Sequence, residues 1–175
     1  WRYARRLLLQ LAHYDNRADP DAFSAGEWAW HTSFTHFGAQ LSLPGEIGLV
    51  TQWMKGETYW LAGAWPDGSR APWARVVADG FESKFVLLTR VLRNVHRLSL
   101  RYDDFEIVRD QAPPALVADS GHAWTFAYRY ERSARLGIGF EWLEIRSRRD
   151  LWPAFYSLPS QATERQLRVQ VSFKQ

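Results

Sequence analysis

Five histidines, His13, His31, His36, His96 and His122, are the side chains of this sequence best suited to proton transfer or metal ligation. His31 and His36 are five residues apart in a stretch that reads as a strand, so they point to opposite faces and cannot share a metal. Ser33 and Ser99 lie close to His31 and His96 and are nominal nucleophiles. No GxSxG turn accompanies either serine and no third member of a triad can be named, so no catalytic activity is expected. Asp103-Asp104 with Glu106, and Asp15, Asp19 and Asp21, are acidic groups that suit Ca²⁺ in type. Their spacing does not match an EF-hand loop, and they read as solvated loop charges with no assigned ligand. The chain has no cysteine, which removes disulfides and thiolate metal sites. No cofactor and no metal is expected.

A second group of residues suggests a different chemistry. Lys84, Arg90, Arg97, Arg101, Arg129 and Arg168 alternate with apolar residues along the chain, as do Glu82, Asp103 and Glu141. They are predicted to share one face with Ser99, Thr125, Gln170 and Ser172. A basic lining favours anions in a water-filled passage, and the small excess over the acids makes any such preference mild. Trp60, Trp65 and Trp73 fall in a segment, 56–80, that reads as a long connection, where they suit stacking on sugars or pinning a loop. Tyr128-Arg129-Tyr130 resembles a base-stacking pattern, but alternation places the arginine and the tyrosines on opposite faces. With 22 basic and 19 acidic residues, nucleic acid is not an expected partner.

These positions depend on strands. In HAWTFAYRYERSARLGIGFEWLEI, residues 122–145, Trp124, Phe126, Tyr128 and Tyr130 recur at every second residue, and Leu136, Ile138, Phe140 and Trp142 do so again after a polar break. Period two means strands with one apolar face. Eight strands are predicted, near 1–14, 27–43, 47–55, 81–92, 95–103, 122–131, 136–145 and 164–173. A change of apolar parity between Phe34 and Phe37 predicts a bulge in the second, and Phe85, Leu87 and Val91 read as the apolar face of the fourth. Short turns near 44–46, 93–94 and 132–134 alternate with long connections near 15–26, 56–80, 104–121 and 146–163. No segment approaches the roughly 18 apolar residues of a membrane helix, while a spanning strand gives a far weaker signal.

Strict alternation of short and long connections, with aromatics near strand ends, predicts an all-β, antiparallel, up-and-down transmembrane β-barrel as one domain over 1–175. Pore-lining residues would be Lys84, Arg90, Arg97, Arg101, Arg129, Glu141 and Arg168. Lipid-facing residues would be Leu98, Leu100, Tyr102, Trp124, Phe126, Tyr128, Leu136, Ile138, Phe140, Trp142, Val169, Val171 and Phe173. A soluble β-sandwich binding a carbohydrate-type ligand is the competing reading, since its two apolar faces could cover each other.

The segments YDNRADP (14–20), WHTSFTHFGAQLSLPGEIGLVTQWMKGET (30–58), RLSLRYDDFE (97–106) and 122–145 together resemble the C-terminal half of Gram-negative outer-membrane porin-like proteins of sixteen-strand type. The resemblance spans nearly the whole chain as a pattern. It implies passive diffusion of small hydrophilic solutes across the bacterial outer membrane. It also implies contact with outer-membrane lipid and with the barrel-assembly machinery, and it is compatible with a homo-oligomer. Barrels of this kind commonly end on an aromatic residue; here Leu167, Val169, Val171 and Phe173 are in phase and Lys174-Gln175 follow. Some outer-membrane barrels are lipid hydrolases or plugged structural barrels, which is the second alternative. The chain opens at Trp1, and a missing start favours half of a sixteen-stranded barrel over eight strands closed on themselves.

Overall fold

A computed structural model describes residues 7–17, 19, 30–64, 69–109, 116–131, 136–150 and 159–173. They form eight strands: β1 Leu7–Asp15, β2 Trp30–Leu43, β3 Ile47–Ala64, β4 Arg70–Leu92, β5 His96–Arg109, β6 Leu116–Glu131, β7 Leu136–Arg149 and β8 Gln161–Phe173. All pairing is antiparallel and between sequence neighbours, so the strands make one up-and-down sheet in the order β1 to β8. No helix occurs among the described residues. The sheet is open, with β1 and β8 as its two edges. A sandwich needs two sheets, and these strands make one.

Turn chemistry sets the registers at one end. Between β2 and β3, Gly45 and Glu46 have φ of 79° and 59°. Between β4 and β5, Arg93 and Asn94 have φ of 53° and 55°, and the Val95 amide donates to the Leu92 carbonyl at 3.2 Å. Two successive left-handed residues give the turn whose twist matches a right-twisted hairpin. Residues 132–135, where the third short turn is predicted, lie outside the described residues, as do residues 1–6 and 27–29 of the first two predicted strands.

Several expectations are corrected. The predicted connection 56–80 is mostly strand: β3 continues to Ala64 and β4 begins at Arg70. Thr58, Tyr59, Trp60, Val76 and Val77 are good strand formers, and pairing with the neighbour extends the ladder through them. Likewise Asp104 and Glu106 lie on β5, not in a loop. The parity change in β2 is not a bulge, since its registers with β1 and β3 run without a shift. Phe34 and Phe37 simply occupy opposite faces. Register shifts occur instead at Ala62/Ala64 and Ile107/Val108.

Almost nothing here is a core. Leu61, Val77 and Ala78 are the buried hydrophobic residues among those described, and no large side chain is fully buried. A single layer has no partner to bury either face against, whereas globular domains are built from packed layers.

Candidate functional site

Directly opposed residues in a ladder share a face, so the registers sort every strand into two surfaces. One, the open face, carries the row Leu7, Leu41, Leu49, Leu88, Leu100, Phe126, Trp142 and Leu167. The other, the sheltered face, carries Leu8, Gln40, Val50, Leu87, Arg101, Thr125, Leu143 and Gln166 in the adjacent row. The two differ in accessibility. On β4, Lys84, Val86, Leu88 and Arg90 of the first face are exposed, while Ser83, Phe85, Leu87 and Thr89 of the second are half-buried. On β7, Ile138 and Phe140 are exposed while Gly137 and Ser147 are buried. On these two strands the more accessible side is the apolar one, whereas β1 and β8 are exposed on both sides and Arg97, Arg101 and Arg129 of the sheltered face are exposed as well.

The open face is banded. Near the short turns its residues, Thr51 and Arg90 apart, are apolar: Leu98 and Leu100 on β5, Phe126 and Tyr128 on β6, Leu136, Ile138 and Phe140 on β7, Val169, Val171 and Phe173 on β8. Leu88 and Leu100 are each 44% exposed and Val169 is 67% exposed. One aromatic belt closes this band at mid-strand, formed by Trp53, Tyr102, Trp124 and Trp142. Tyr102 and Trp124 rings lie 4.7 Å apart, and Trp53 Nε1 donates to Glu82 at 3.0 Å, so its polar atom points out of the band. A second belt lies at the turn end, where His96 stacks on Tyr130 at 5.1 Å and shares a 2.8 Å hydrogen bond with the Tyr128 hydroxyl. From Leu136 to Trp142 the band spans about 20 Å along the strand at roughly 3.4 Å per residue. Its edge drifts from the Leu11–Phe37–Trp53 row to the Val86–Tyr102–Trp124 row and then to the Trp142–Leu167 row.

Beyond the mid-strand belt the same face turns polar. Lys84 pairs with Asp104 at 3.4 Å, and Glu144 takes Arg146 and Arg165 at 2.9 and 2.8 Å. The hydrogen bond from Arg165, then that from Arg146, holds the Glu144 carboxyl below its ordinary range. At the end of β1 the Arg17 amide, then His31, does the same for Asp15, whose Oδ1 lies 2.8 Å from His31 Nε2. A carboxylate with a depressed folded-state value adds stability that is full above the unfolded value and lost as pH falls through the folded one. Acidification below about pH 4 is thus expected to loosen β8 from β7 at this end, seen as faster amide exchange at Glu164 and Arg165 than at Val169.

The sheltered face holds charges in pairs. Arg101 Nε donates to Asp103 at 2.9 Å and its guanidinium sits 4.3 Å over the Phe85 ring. Arg129 pairs with Glu131 at 2.8 Å, and Arg168 with Glu141 at 3.9 Å. Farthest from the turns, Arg109 grips Asp79 through Nε at 2.8 Å and Nη2 at 3.1 Å, and Trp60 Nε1 donates to the same carboxylate at 2.9 Å. The carboxylate, through that hydrogen bond, holds the Arg109 guanidinium above its ordinary value. Asp79→Ala removes three hydrogen bonds and leaves a half-buried cation, and is expected to cost about 1–3 kcal/mol. Urea unfolding of the variant beside the parent protein measures it.

The registers put most of these residues on one common face and a few on the other. Arg97, Arg101, Arg129, Glu141 and Arg168 share the sheltered face as expected. Glu82, Lys84 and Arg90 do not: the β3–β4 and β4–β5 registers put them with Val86 and Leu88. Phe85, Leu87 and Val91 are correspondingly on the sheltered side. The run Phe85-Val86-Leu87-Leu88 is apolar on both parities, so periodicity alone could not choose. Trp60 is a strand residue hydrogen-bonded to Asp79, while Trp65 and the side chain of Trp73 fall outside the described residues. His31 and His36 do occupy opposite faces, and no cluster of metal-ligating residues forms among the described residues. Asp21 lies outside them. No protein-family model, no curated protein and no solved structure matches this chain.

Proposed function

We propose that this sheet is part of the wall of a bacterial outer-membrane β-barrel, and that the barrel is a porin-like channel for passive diffusion of small hydrophilic solutes. One observation carries the reading: the apolar band between two aromatic belts is the more accessible side of β4 and β7, and at the same level the opposite side carries the Arg101–Asp103, Arg129–Glu131 and Arg168–Glu141 pairs. In water that arrangement leaves Leu88, Leu100, Phe126 and Val169 exposed together, at roughly 25 cal/mol per Å² of apolar surface. Lipid against the same face removes the cost, and aromatic belts at both limits are what membrane barrels place at the two interfaces. The lipid-contacting part of β7 is then Leu136–Trp142, and Glu144, Arg146 and Arg148 stand outside it.

Strand number bears on the lumen. Eight strands closed on themselves would fill their interior with side chains, whereas eight within a wall of about sixteen enclose water. Unpaired backbone at β1 and β8 cannot face hydrocarbon, which supports further strands pairing at both edges, from the same polypeptide or from a second copy. Delivery would depend on the barrel-assembly machinery, with outer-membrane lipid as the standing partner. With Lys84 and Arg90 on the open face, the sheltered charges beside the turns reduce to Arg97, Arg101, Arg129 and Arg168 against Asp103, Glu131 and Glu141. Anion preference is accordingly mild, and a reversal potential favouring cations in a planar bilayer would remove it.

The reading is tested by extraction and electrophoresis. The protein is expected to require detergent, to run with heat-modifiable mobility, and to give conductance when reconstituted. A monodisperse, folded protein in plain buffer would contradict it.

A further inference from the structure

We infer that the sheltered face carries a track for amphipathic organic anions, solutes with an apolar body the size of an aromatic ring and one carboxylate. This rests on the channel reading and narrows it. The sheltered face is not uniformly hydrophilic. Down β4 and β5 it presents Phe81, then Phe105 opposite Ser83, then Phe85 opposite Asp103, then Leu87 opposite Arg101, a half-buried apolar column running from the polar end toward the turns. Val50 lies directly opposite Leu87 and widens it. A wall meeting only water and sugars gains nothing from such a column, since the apolar surface it leaves accessible is unfavourable in water.

The column ends at cations. Arg101 is directly opposite Leu87, and Arg97 lies two rows farther, opposite Arg129. Like charges directly opposed are destabilising unless something compensates them. Arg129 has Glu131, and Arg101 has Asp103. Arg97 has no ion pair among the described residues and is exposed. A carboxylate entering between Arg97 and Arg129 supplies the missing charge, with its apolar body against Leu87, since the Phe85 ring is covered by the Arg101 guanidinium.

The chain has no cysteine, so one introduced thiol reports on the track without background. Leu87→Cys, in the intact protein reconstituted in a conducting bilayer, is labelled with a water-soluble maleimide in the presence of benzoate or acetate. Benzoate is expected to slow labelling roughly tenfold more than acetate, the value of burying much of a phenyl ring. In the double variant with Arg97→Gln the difference should fall to about twofold or less. Equal protection by both anions in a conducting channel would overturn the track and leave the channel reading standing. So would a thiol that stays unreactive without any solute, because a segment of protein would then cover the column. A protein that conducts nothing would overturn both.

Discussion

Phe140→Arg is expected to cost about 2–4 kcal/mol of stability in a bilayer, and Leu136→Arg about 0–1 kcal/mol, although both residues sit on the same face of the same strand. Phe140 is mid-band, between Ile138 and Trp142, while Leu136 opens β7 at the short-turn end. The penalty for a cation in hydrocarbon depends on depth, because near an interface a long side chain reaches water. The profile along β7 should therefore peak at Ile138 and Phe140 and decline toward Leu136 and Trp142. Gln170→Arg, on the sheltered face of β8 opposite Gly139, should stay within about 0.5 kcal/mol. Urea titration in lipid vesicles, followed by heat-modifiable mobility, gives each value. A face packed on protein has no interface to reach, so the penalty would be flat along the strand.

Gly56→Ala is the second change with a large expected effect, and it does not depend on the membrane. Gly56 on β3 lies directly opposite Phe34 on β2 and Phe81 on β4. A Cβ there would collide with the Ser33 carbonyl oxygen and come within 2.5 Å of the Phe34 Cβ and 2.8 Å of its Cα. The obstruction is mostly backbone, so no rotamer change relieves it. The bare glycine instead lets the Phe34 ring lie close, stacked at 5.1 Å on Tyr14 and 6.4 Å from Phe81. Phe105 uses Gly121 in the same way, where a Cβ would meet the Arg146 carbonyl oxygen at 2.6 Å. The strand must separate locally to admit even a methyl group, at about 1–3 kcal/mol. Gly48→Ala is the control: same strand, same face, nothing within 4 Å of the added carbon, and an expected change below about 0.5 kcal/mol. Comparable losses at the two glycines would show that the close approach across Gly56 does not exist.

The sequence was most legible where one parity is apolar and the other is not. Trp124 to Tyr130 and Leu136 to Trp142 alternate without exception, and they pair as one hairpin in the structure. Pro44-Gly45 and Arg93-Asn94 announce turns by composition, and positive φ values are found there, at Gly45, Glu46, Arg93 and Asn94. Legibility failed where both parities carry apolar residues, as in Phe85-Val86-Leu87-Leu88, because the face is then decided by the neighbour's register. It failed again beyond the mid-strand belt. There Glu57, Asp104, Glu106 and Arg146 sit on strands but look like loop, since the open face no longer selects apolar residues. A signal was present in the spacing of opposite charges two residues apart, as in Glu82 and Lys84, Arg101 and Asp103, or Glu144 and Arg146. Two residues apart on a strand means the same face and a reachable partner. That spacing marks strand where hydrophobicity is silent. The belt at His96, Tyr128 and Tyr130 was hidden for another reason: it draws on two strands, and only the register brings them together.

A single-cysteine scan from Leu136 to Trp142, made possible by the absence of native thiols, tests the orientation of the sheet most directly. In the reconstituted protein, Ile138→Cys and Phe140→Cys should react with a membrane-partitioning maleimide and resist a hydrophilic one, while Gly139→Cys and Glu141→Cys should do the reverse. Thiols at Ile138 and Phe140 that resist both reagents, in a protein folded without lipid or detergent, would mean that protein covers the apolar band and that this sheet is not a membrane wall.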